Sequence, residues 1–180
     1  MTIGSSFPDV LAAARRGDER ATARLYRDVA PLVLGYLRAN RVRDAEDVAG
    51  DVFVSMVRSL ARFTGDESQF HSWLLTIAHR RMVDHVRRAQ VRPERPAPDD
   101  SLEAGLPPVT GADQAGIGGV EAAHLLAAVD ALTSDQREVV LLRALADLTV
   151  PQIAAVLGKP ETAVKALLRR AVARLSRVPR

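Results

Sequence analysis

The sequence predicts an all-α protein made of two small helical domains joined by a flexible acidic linker. Ala, Leu, Arg and Glu are abundant, which favours helices. No segment shows the apolar–polar alternation that is typical of a strand. Residues 92–119 are rich in Pro, Gly, Asp and Ala and lack a helical period, which is typical of a linker. We therefore expect one domain over residues 1–91 and a second over residues 120–180.

The first domain is expected to contain five helices, over residues 8–16, 19–29, 31–41, 45–62 and 69–90. Gly17 breaks the first helix from the second, Asp18 is the predicted N-cap of the second, and Pro31 begins or kinks the third. Ser68 is the predicted N-cap of the last. The helix over 45–62 has one apolar face, formed by Val48, Val52, Phe53, Met56, Val57 and Leu60.

The second domain is expected to contain four helices, the first over residues 119–132. Thr133 with Gln136, and Thr149 with Gln152, are capping-box signatures that open the next two. Gly158 ends the short helix over 150–157, and Pro160 suits the first turn of a final helix that runs to about residue 177. A short helix, a glycine turn and a longer basic helix together predict a helix-turn-helix. The buried stripe of the final helix is predicted to be Val164, Leu168, Ala171, Val172 and Leu175.

The charge of +3 is unevenly distributed along the 180 residues. Residues 1–95 sum to +4, residues 96–124 to −5 and residues 125–180 to +4. Two basic blocks around an acidic bridge indicate a polyanionic partner. The absence of Cys excludes disulfides, cysteine-ligated zinc and thiol catalysis.

Neither membrane insertion nor catalysis is indicated by the sequence. No apolar run approaches eighteen residues and no secretory signal is recognisable, so we expect a cytoplasmic protein. His71, His79 and His85 lack the four-residue spacing of a helical histidine pair. With no phosphate loop or catalytic triad either, we expect no catalytic residue, metal or cofactor.

Two basic clusters are candidates for nucleic-acid contact. The final helix carries Lys165, Arg169 and Arg170, and its first turns would meet base edges if it enters a major groove. The helix over 69–90 carries Arg80, Arg81, Arg87 and Arg88 near an aromatic residue, Trp73, an arrangement that suits single-stranded nucleic acid. The alternative for the final helix is a solvated basic face without a partner. The alternative for the helix over 69–90 is that Trp73 is a core residue and that Asp84 forms a surface ion pair.

A third cluster is acidic and lies at the start of the helix over 45–62. Capping and the helix macrodipole explain part of it. Asp47 and Asp51, however, are like charges four residues apart, which costs stability unless a basic partner lies there. The cluster consists of Asp44, Glu46, Asp47 and Asp51.

The chain resembles a bacterial RNA polymerase sigma factor of the extracytoplasmic-function (ECF) group. The resemblance is carried by ARLYRDVAPLV, DAEDVAGDVFVSMVRSLARF and SQFHSWLLTIAHRRMVDHVRR in the first block. In the last block it is carried by LTSDQREVVLLRALADLTVPQIAAVLGKPETAVKALLRRAVARL. Together these runs cover about three-quarters of the chain. The chain departs from the family pattern at Arg80, at Lys159-Pro160 and at Ala166-Leu167.

The resemblance implies a role for each cluster. The acidic cluster would dock on core RNA polymerase. The first domain would bind the promoter minus-ten element and assist melting through Phe63, Trp73, His79, Arg80, Arg81, Asp84, Arg87 and Arg88. The second domain would bind the minus-thirty-five element through Glu161, Thr162, Lys165, Ala166, Arg169 and Arg170. The linker would follow the nucleic-acid channel of the polymerase, and an anti-sigma factor is a further expected partner.

Two other functions are weighed beside transcription initiation. A stand-alone helix-turn-helix regulator would bind duplex DNA without polymerase, but it needs neither the acidic cluster nor the Trp73 helix. An enzyme such as a helical nuclease would need a metal or nucleophile constellation that the sequence does not offer.

Overall fold

The computed structural model describes residues 3–91 and 131–177, with the side chains of residues 3–88 and 131–177. Within those ranges every regular element is helical, which confirms the all-α fold class. None of the described helices is long and apolar enough to cross a membrane. The predicted linker over 92–119 and nearly all of the predicted helix over 119–132 lie outside the described residues. We call residues 3–91 the N-terminal unit and residues 131–177 the C-terminal unit.

The N-terminal unit contains four α-helices. They are α1 (Phe7–Arg15), α2 (Glu19–Ala39), α3 (Ala45–Ser59) and α4 (Glu67–Val91), with 3-10 turns at Gly4–Ser6 and Leu60–Arg62. Asp18 caps α2 as predicted, because its carboxylate accepts a hydrogen bond of 2.8 Å from the Ala21 backbone N–H. The core between the helices is apolar, and its fully buried members include Leu25, Val33, Leu37, Val52, Phe70 and Leu74.

Three sequence expectations about the N-terminal unit are wrong. Pro31 neither begins nor divides a helix, since α2 continues through it. Pro31 cannot donate to the Arg27 carbonyl, but both residues are exposed, so water can satisfy that carbonyl. The buried residues Val29 and Val33 lie on either side of Pro31, and their packing holds the two halves of α2 in one helix.

The start of α4 is the second error. Ser68 lies inside the helix, and Asp66 is its cap. The Asp66 carboxylate accepts from the Gln69 N–H at 2.8 Å, while the Gln69 side chain accepts from the Asp66 N–H at 2.9 Å. This reciprocal pair is a capping box with Asp in place of Ser or Thr.

The third error is Val57, which is predicted on the buried face of α3 and is 53% exposed.

The C-terminal unit contains α5 (Ser134–Ala146), α6 (Val150–Leu157) and α7 (Glu161–Leu175). The capping box of Thr133 with Gln136 is present as predicted. At the start of α6, the Gln152 side chain accepts hydrogen bonds from both the N–H and the hydroxyl of Thr149. Gly158 ends α6 in the left-handed conformation at φ 63°, a position that favours glycine.

The turn between α6 and α7 produces the predicted helix-turn-helix. Pro160 is the N-cap of α7 rather than a residue of its first turn. Val164 and Ala171 are buried as expected, while Leu168 and Leu175 are half-buried. Val172 is 63% exposed, so the expectation that it is buried is wrong. The buried side of α7 is narrower than its apolar residues suggest, which leaves more of the helix open to solvent.

The two units pack against each other. Helix α6 lies against α4, and α5 lies against α2. Val139, Leu142 and Ile153 of the C-terminal unit belong to the same apolar core as the buried residues of α2 and α4. The Gln152 side-chain amide also donates to the Ser68 hydroxyl at 3.2 Å across this contact. We call this contact between the units the seam.

Candidate nucleic-acid and protein interfaces

The acidic cluster forms an exposed patch at the start of α3. Asp44, Glu46, Asp47 and Asp51 are all exposed. Asp44 occupies the N-cap position without a side-chain capping bond, and its carboxylate lies 3.5 Å from Nε2 of His85. The Arg38 guanidinium donates to the Glu46 carboxylate, and this hydrogen bond lowers the pKa of Glu46. Asp44 therefore does not act as a side-chain cap, while Glu46 and Asp47 are first-turn acids that the helix macrodipole favours.

An exposed apolar residue continues the patch. Asp47, Asp51 and Val54 are spaced by four and three residues, so they share one face of α3. Val54 is 44% exposed although it lies on a helix whose other face is core. This face of α3 therefore presents exposed carboxylates and one exposed apolar side chain to solvent. We call Asp44, Glu46, Asp47, Asp51 and Val54 the acidic patch.

An aromatic cluster lies where the loop before α4 meets α1 and α4. The Trp73 ring centroid lies 5.0 Å from that of Phe63 and 5.6 Å from that of Phe70. Phe7 extends the cluster, with its centroid 5.5 Å from that of Phe70. Phe63 and Phe70 are buried, whereas Trp73 is half-buried. Trp73 is therefore partly a core residue, as one of the two interpretations expected, and it retains some accessible surface.

The loop that carries Phe63 is held by a glycine. Gly65 has a φ of 153°, and a Cβ there would lie 2.6 Å from Oε1 of Gln69 and 3.0 Å from the Phe63 ring. Gln69 is the residue that pairs with Asp66 at the start of α4. Any side chain at position 65 would thus disturb both the Phe63 ring and the cap of α4.

The basic residues of α4 do not all face solvent. Arg80, Arg87 and Arg88 are exposed, together with Asp84. Arg81 is half-buried and donates to the Ser55 hydroxyl at 2.8 Å, which ties α4 to α3. A cleft of about 280 Å³ runs along this side of the helix, lined by His79, Arg80, Val83, Asp84 and Arg87.

His79 lies in the seam rather than on the free surface of α4. Its Nδ1 atom lies 3.3 Å from the Tyr36 hydroxyl and 3.7 Å from a Glu138 carboxylate oxygen of α5. Burial lowers the pKa of His79, and the nearby positive charges of Lys159 and Arg80 lower it further. The pKa of Glu138 is raised to about 7, first by burial and second by the charge of Asp135, while Lys159 opposes the shift. Local sequence patterns single out neither Tyr36 nor Glu138, because they lie 43 and 59 positions from His79.

The exposed side of α7 carries the residues expected in a major groove. Glu161, Thr162, Lys165, Arg169 and Arg170 are exposed, and Ala166 is half-buried. Nζ of Lys165 lies 3.8 Å from a Glu161 carboxylate oxygen, an i,i+4 pair of exposed side chains that costs little to separate. A continuous basic face on the second helix of a helix-turn-helix can enter a major groove and contact phosphates.

Comparisons with known proteins identify both units. The family model Sigma-70 region 2 matches residues 25–92, and the model Sigma-70, region 4 matches residues 123–175. The ECF RNA polymerase sigma factor ShbA of Streptomyces griseus is 30% identical over 170 residues, which cover 90% of this chain and 89% of ShbA.

A second relative and a solved structure agree with these matches. The ECF RNA polymerase sigma factor BldN of Streptomyces coelicolor is 32% identical over 174 residues, 94% of this chain but only 64% of BldN. The structure of CnrH in complex with the cytosolic domain of CnrY superposes with a TM-score of 0.61 at 26% identity, covering 93% of this chain and 92% of CnrH.

Proposed function

We propose that this chain, which belongs to the ECF group of RNA polymerase sigma factors, divides promoter recognition between its two units. As a member of that group it is a transcription initiation factor that binds core RNA polymerase and directs it to promoter DNA. The proposal concerns which residues do this work. The observation that carries it is the exposed basic face of α7, on the second helix of a helix-turn-helix.

In this proposal the C-terminal unit binds the minus-thirty-five element. Glu161, Thr162, Lys165 and Ala166 lie in the first turns of α7 and would approach base edges in the major groove. Arg169 and Arg170 follow one turn later and would contact phosphates, which sets the position of the helix without reading sequence. Both arginines are exposed, as contact with phosphates requires.

The N-terminal unit would bind polymerase through the acidic patch and the minus-ten element through α4. Exposed arginines on α4 would follow the DNA backbone, and the accessible part of Trp73 would stack on an unstacked base. Unstacking costs a few kcal/mol per base, which such contacts must offset. The residues proposed for this surface are Phe63, Trp73, His79, Arg80, Arg81, Asp84, Arg87 and Arg88.

The seam implies that the units separate before both promoter elements are bound. Elements that are centred about 25 base pairs apart lie roughly 85 Å apart on straight DNA. The contact of α6 with α4 holds the two units together and covers part of the α4 surface, including His79. A linker of 28 residues could reach about 90 Å when extended, which is enough to join the two units while each binds its own promoter element.

We further propose a protein partner that controls access to these surfaces. CnrH, which is 26% identical to this chain, is seen in complex with the cytosolic domain of CnrY. We propose that an anti-sigma factor, the partner that the ECF resemblance implies, binds this chain and favours the arrangement in which the two units pack at the seam. We propose that the chain acts in the cytoplasm, where RNA polymerase works, and that it acts by binding rather than as an enzyme.

The test is in vitro transcription with core polymerase on a library of promoter sequences. We expect transcripts only when this chain is added, from promoters that share two elements at a fixed spacing. Replacing Arg169 and Arg170 by Ala should weaken all of these promoters together and reduce the salt dependence of binding. Duplex DNA binding with no retention on core polymerase would instead support a stand-alone helix-turn-helix regulator.

A further inference from the structure

Three side chains that could ligate a metal ion converge between α2 and α4. Asp28, Glu67 and His71 each offer one ligand atom, and these atoms all lie within 4.8 Å of one another. Glu67 and His71 are four residues apart on α4, so they share one face of that helix. Asp28 approaches them from α2. Among the described residues this is the one group of three such side chains.

The group is half-buried and reachable. The side chain of Asp28 is 7% exposed and that of His71 is 16% exposed, with Nε2 of His71 lying 3.6 Å from Oδ2 of Asp28. Two carboxylates therefore lie close together beside one imidazole, an arrangement that a bound cation would stabilise.

Glu67 is already oriented by the chain. Its two carboxylate oxygens accept hydrogen bonds from the backbone N–H groups of Ile3, at 2.6 Å, and Gly4, at 3.0 Å. A carboxylate has about four lone-pair positions, so two of them stay available for a metal. The two backbone bonds restrict the rotation of Glu67 and so reduce the entropy lost on metal binding.

A cleft gives access to the group. Asp28 and His71 line an opening of about 430 Å³, together with Pro31 and Leu32 of α2 and residues 144–147 at the end of α5. A hydrated ion can enter by this route, and a water molecule in the cleft can fill a coordination position that the protein leaves open.

We propose that Asp28, Glu67 and His71 form a binding site for a divalent transition-metal ion of the zinc type. One imidazole nitrogen and two carboxylate oxygens leave a fourth, tetrahedral position for water. Tetrahedral zinc ligands lie about 3.3 Å apart, so small side-chain rotations would close the present spacing. The imidazole nitrogen favours zinc over magnesium or calcium, which prefer oxygen. The ion would link α2 to α4 beside the seam.

Histidine pairs at a spacing of four do not reveal this site in the sequence. The partner of His71 at that spacing is a glutamate, and the third ligand comes from another helix, 39 positions before Glu67. Spacing within one helix could have suggested Glu67 and His71, but only the packing of α2 on α4 brings in Asp28.

The experiment is a zinc titration of the untagged full chain, freed of metal with a chelator and followed by calorimetry. We expect one equivalent of Zn²⁺ to bind. His71→Gln and Asp28→Asn should each raise the dissociation constant at least about tenfold, since even the loss of a residue that only supports a ligand costs that much. The matched control is His85→Gln, because His85 also lies near a carboxylate, that of Asp44 at 3.5 Å, without being one of the three ligands.

Two further measurements keep the test decisive. Far-UV circular dichroism establishes that each variant is folded, and the melting temperature of the original chain should rise with Zn²⁺ while that of His71→Gln does not. Absence of stoichiometric zinc binding, or equal affinity in His71→Gln, would overturn the proposal. Magnesium binding as tight as zinc binding would overturn the assignment to a zinc-type ion. The result is independent of transcription, so the proposed function and the metal site can fail separately.

Discussion

His79 of α4 lies with its Nδ1 atom 3.7 Å from a carboxylate oxygen of Glu138 on α5, so a titratable contact joins the two units. Although the distance qualifies as an ion pair, the lowered pKa of His79 means that the imidazole is largely neutral at pH 7. The Glu138 carboxyl is then close to half-protonated, because its pKa is about 7. The contact is thus not a fixed ion pair: His79 hydrogen-bonds to Tyr36, and the protonation of the neighbouring Glu138 changes near neutral pH.

The first prediction concerns the pH dependence of stability. The pKa of Glu138 is raised from 4.5 to about 7 on folding, so the stability that its protonation provides is fully present below about pH 4.5 and lost as the pH rises through 7. Between about pH 6.5 and pH 8.5 the original chain should lose about 1 kcal/mol or less of unfolding free energy, after allowance for solvent screening. Glu138→Gln should lose less over that interval, as measured by urea denaturation.

His79 acts in the opposite direction over the lower part of this interval. Its pKa is lowered on folding, so its burial costs stability as the pH falls through its ordinary value of 6.5. This effect is present in both the original chain and Glu138→Gln, so the difference between their pH slopes reports Glu138. Glu161→Gln is the matched control, because the side chain of Glu161 is 50% exposed and the substitution removes the same charge. Equal pH slopes for Glu138→Gln and the original chain would show that Glu138 does not titrate in the seam.

Local signals predicted the ends of helices well. The caps at Asp18 and Thr133 and the left-handed Gly158 depend on residues within three or four positions, which the sequence shows directly. Pro31 was misjudged because the packing of Val29 and Val33 against other helices outweighs the local cost of the proline.

The seam could not be predicted from local patterns. A Pro- and Gly-rich stretch between two helical blocks suggested independent domains, whereas the contact of α6 with α4 depends on tertiary complementarity. His79 was selected for its place in a basic cluster, and its partner Glu138 is 59 positions away. The helical spacing of Val57 and Val172 with their apolar neighbours predicts that both are buried, but both are exposed.

The second prediction tests the acidic patch. Reversing Asp47 and Asp51 to Lys should weaken binding to core polymerase at least about tenfold, because complementary charge would become like charge. Both residues are exposed, so the helical fold should survive. Affinity is measured by fluorescence titration with labelled polymerase, beside circular dichroism of each variant.

The control for this reversal is Asp9→Lys with Glu19→Lys. Those acids lie in the first turns of α1 and α2 and are also exposed, so the control matches the change in net charge and includes the reversal of a first-turn acid, as at Asp47. Equal weakening in both double variants would show that only overall charge matters. Unchanged affinity in the Asp47 and Asp51 variant would refute the docking assignment.

The third prediction concerns Trp73. Trp73→Ala removes ring contacts with Phe63 and Phe70 and should cost about 2 kcal/mol of stability, less than a fully buried tryptophan. Below its melting temperature the variant should form closed complexes nearly normally but open complexes poorly, as measured by permanganate footprinting. Trp73→Phe keeps an aromatic surface and should retain most of the melting activity. If Trp73→Ala unfolds outright, or if it opens promoters normally, stacking by Trp73 is refuted.

The fourth prediction tests whether the seam must open. Because the chain has no Cys, Ser68→Cys with Gln152→Cys creates a unique pair at a site where the present side chains lie 3.2 Å apart. A short, reducible bismaleimide across this pair should hold α6 on α4 and abolish promoter-directed transcription, and reduction should restore it. Each single-cysteine variant, treated in the same way, controls for the reagent and for the loss of the Gln152 side chain that caps α6. Full activity of the crosslinked chain would mean that both promoter elements are reached with the units still packed, which the roughly 85 Å between those elements argues against.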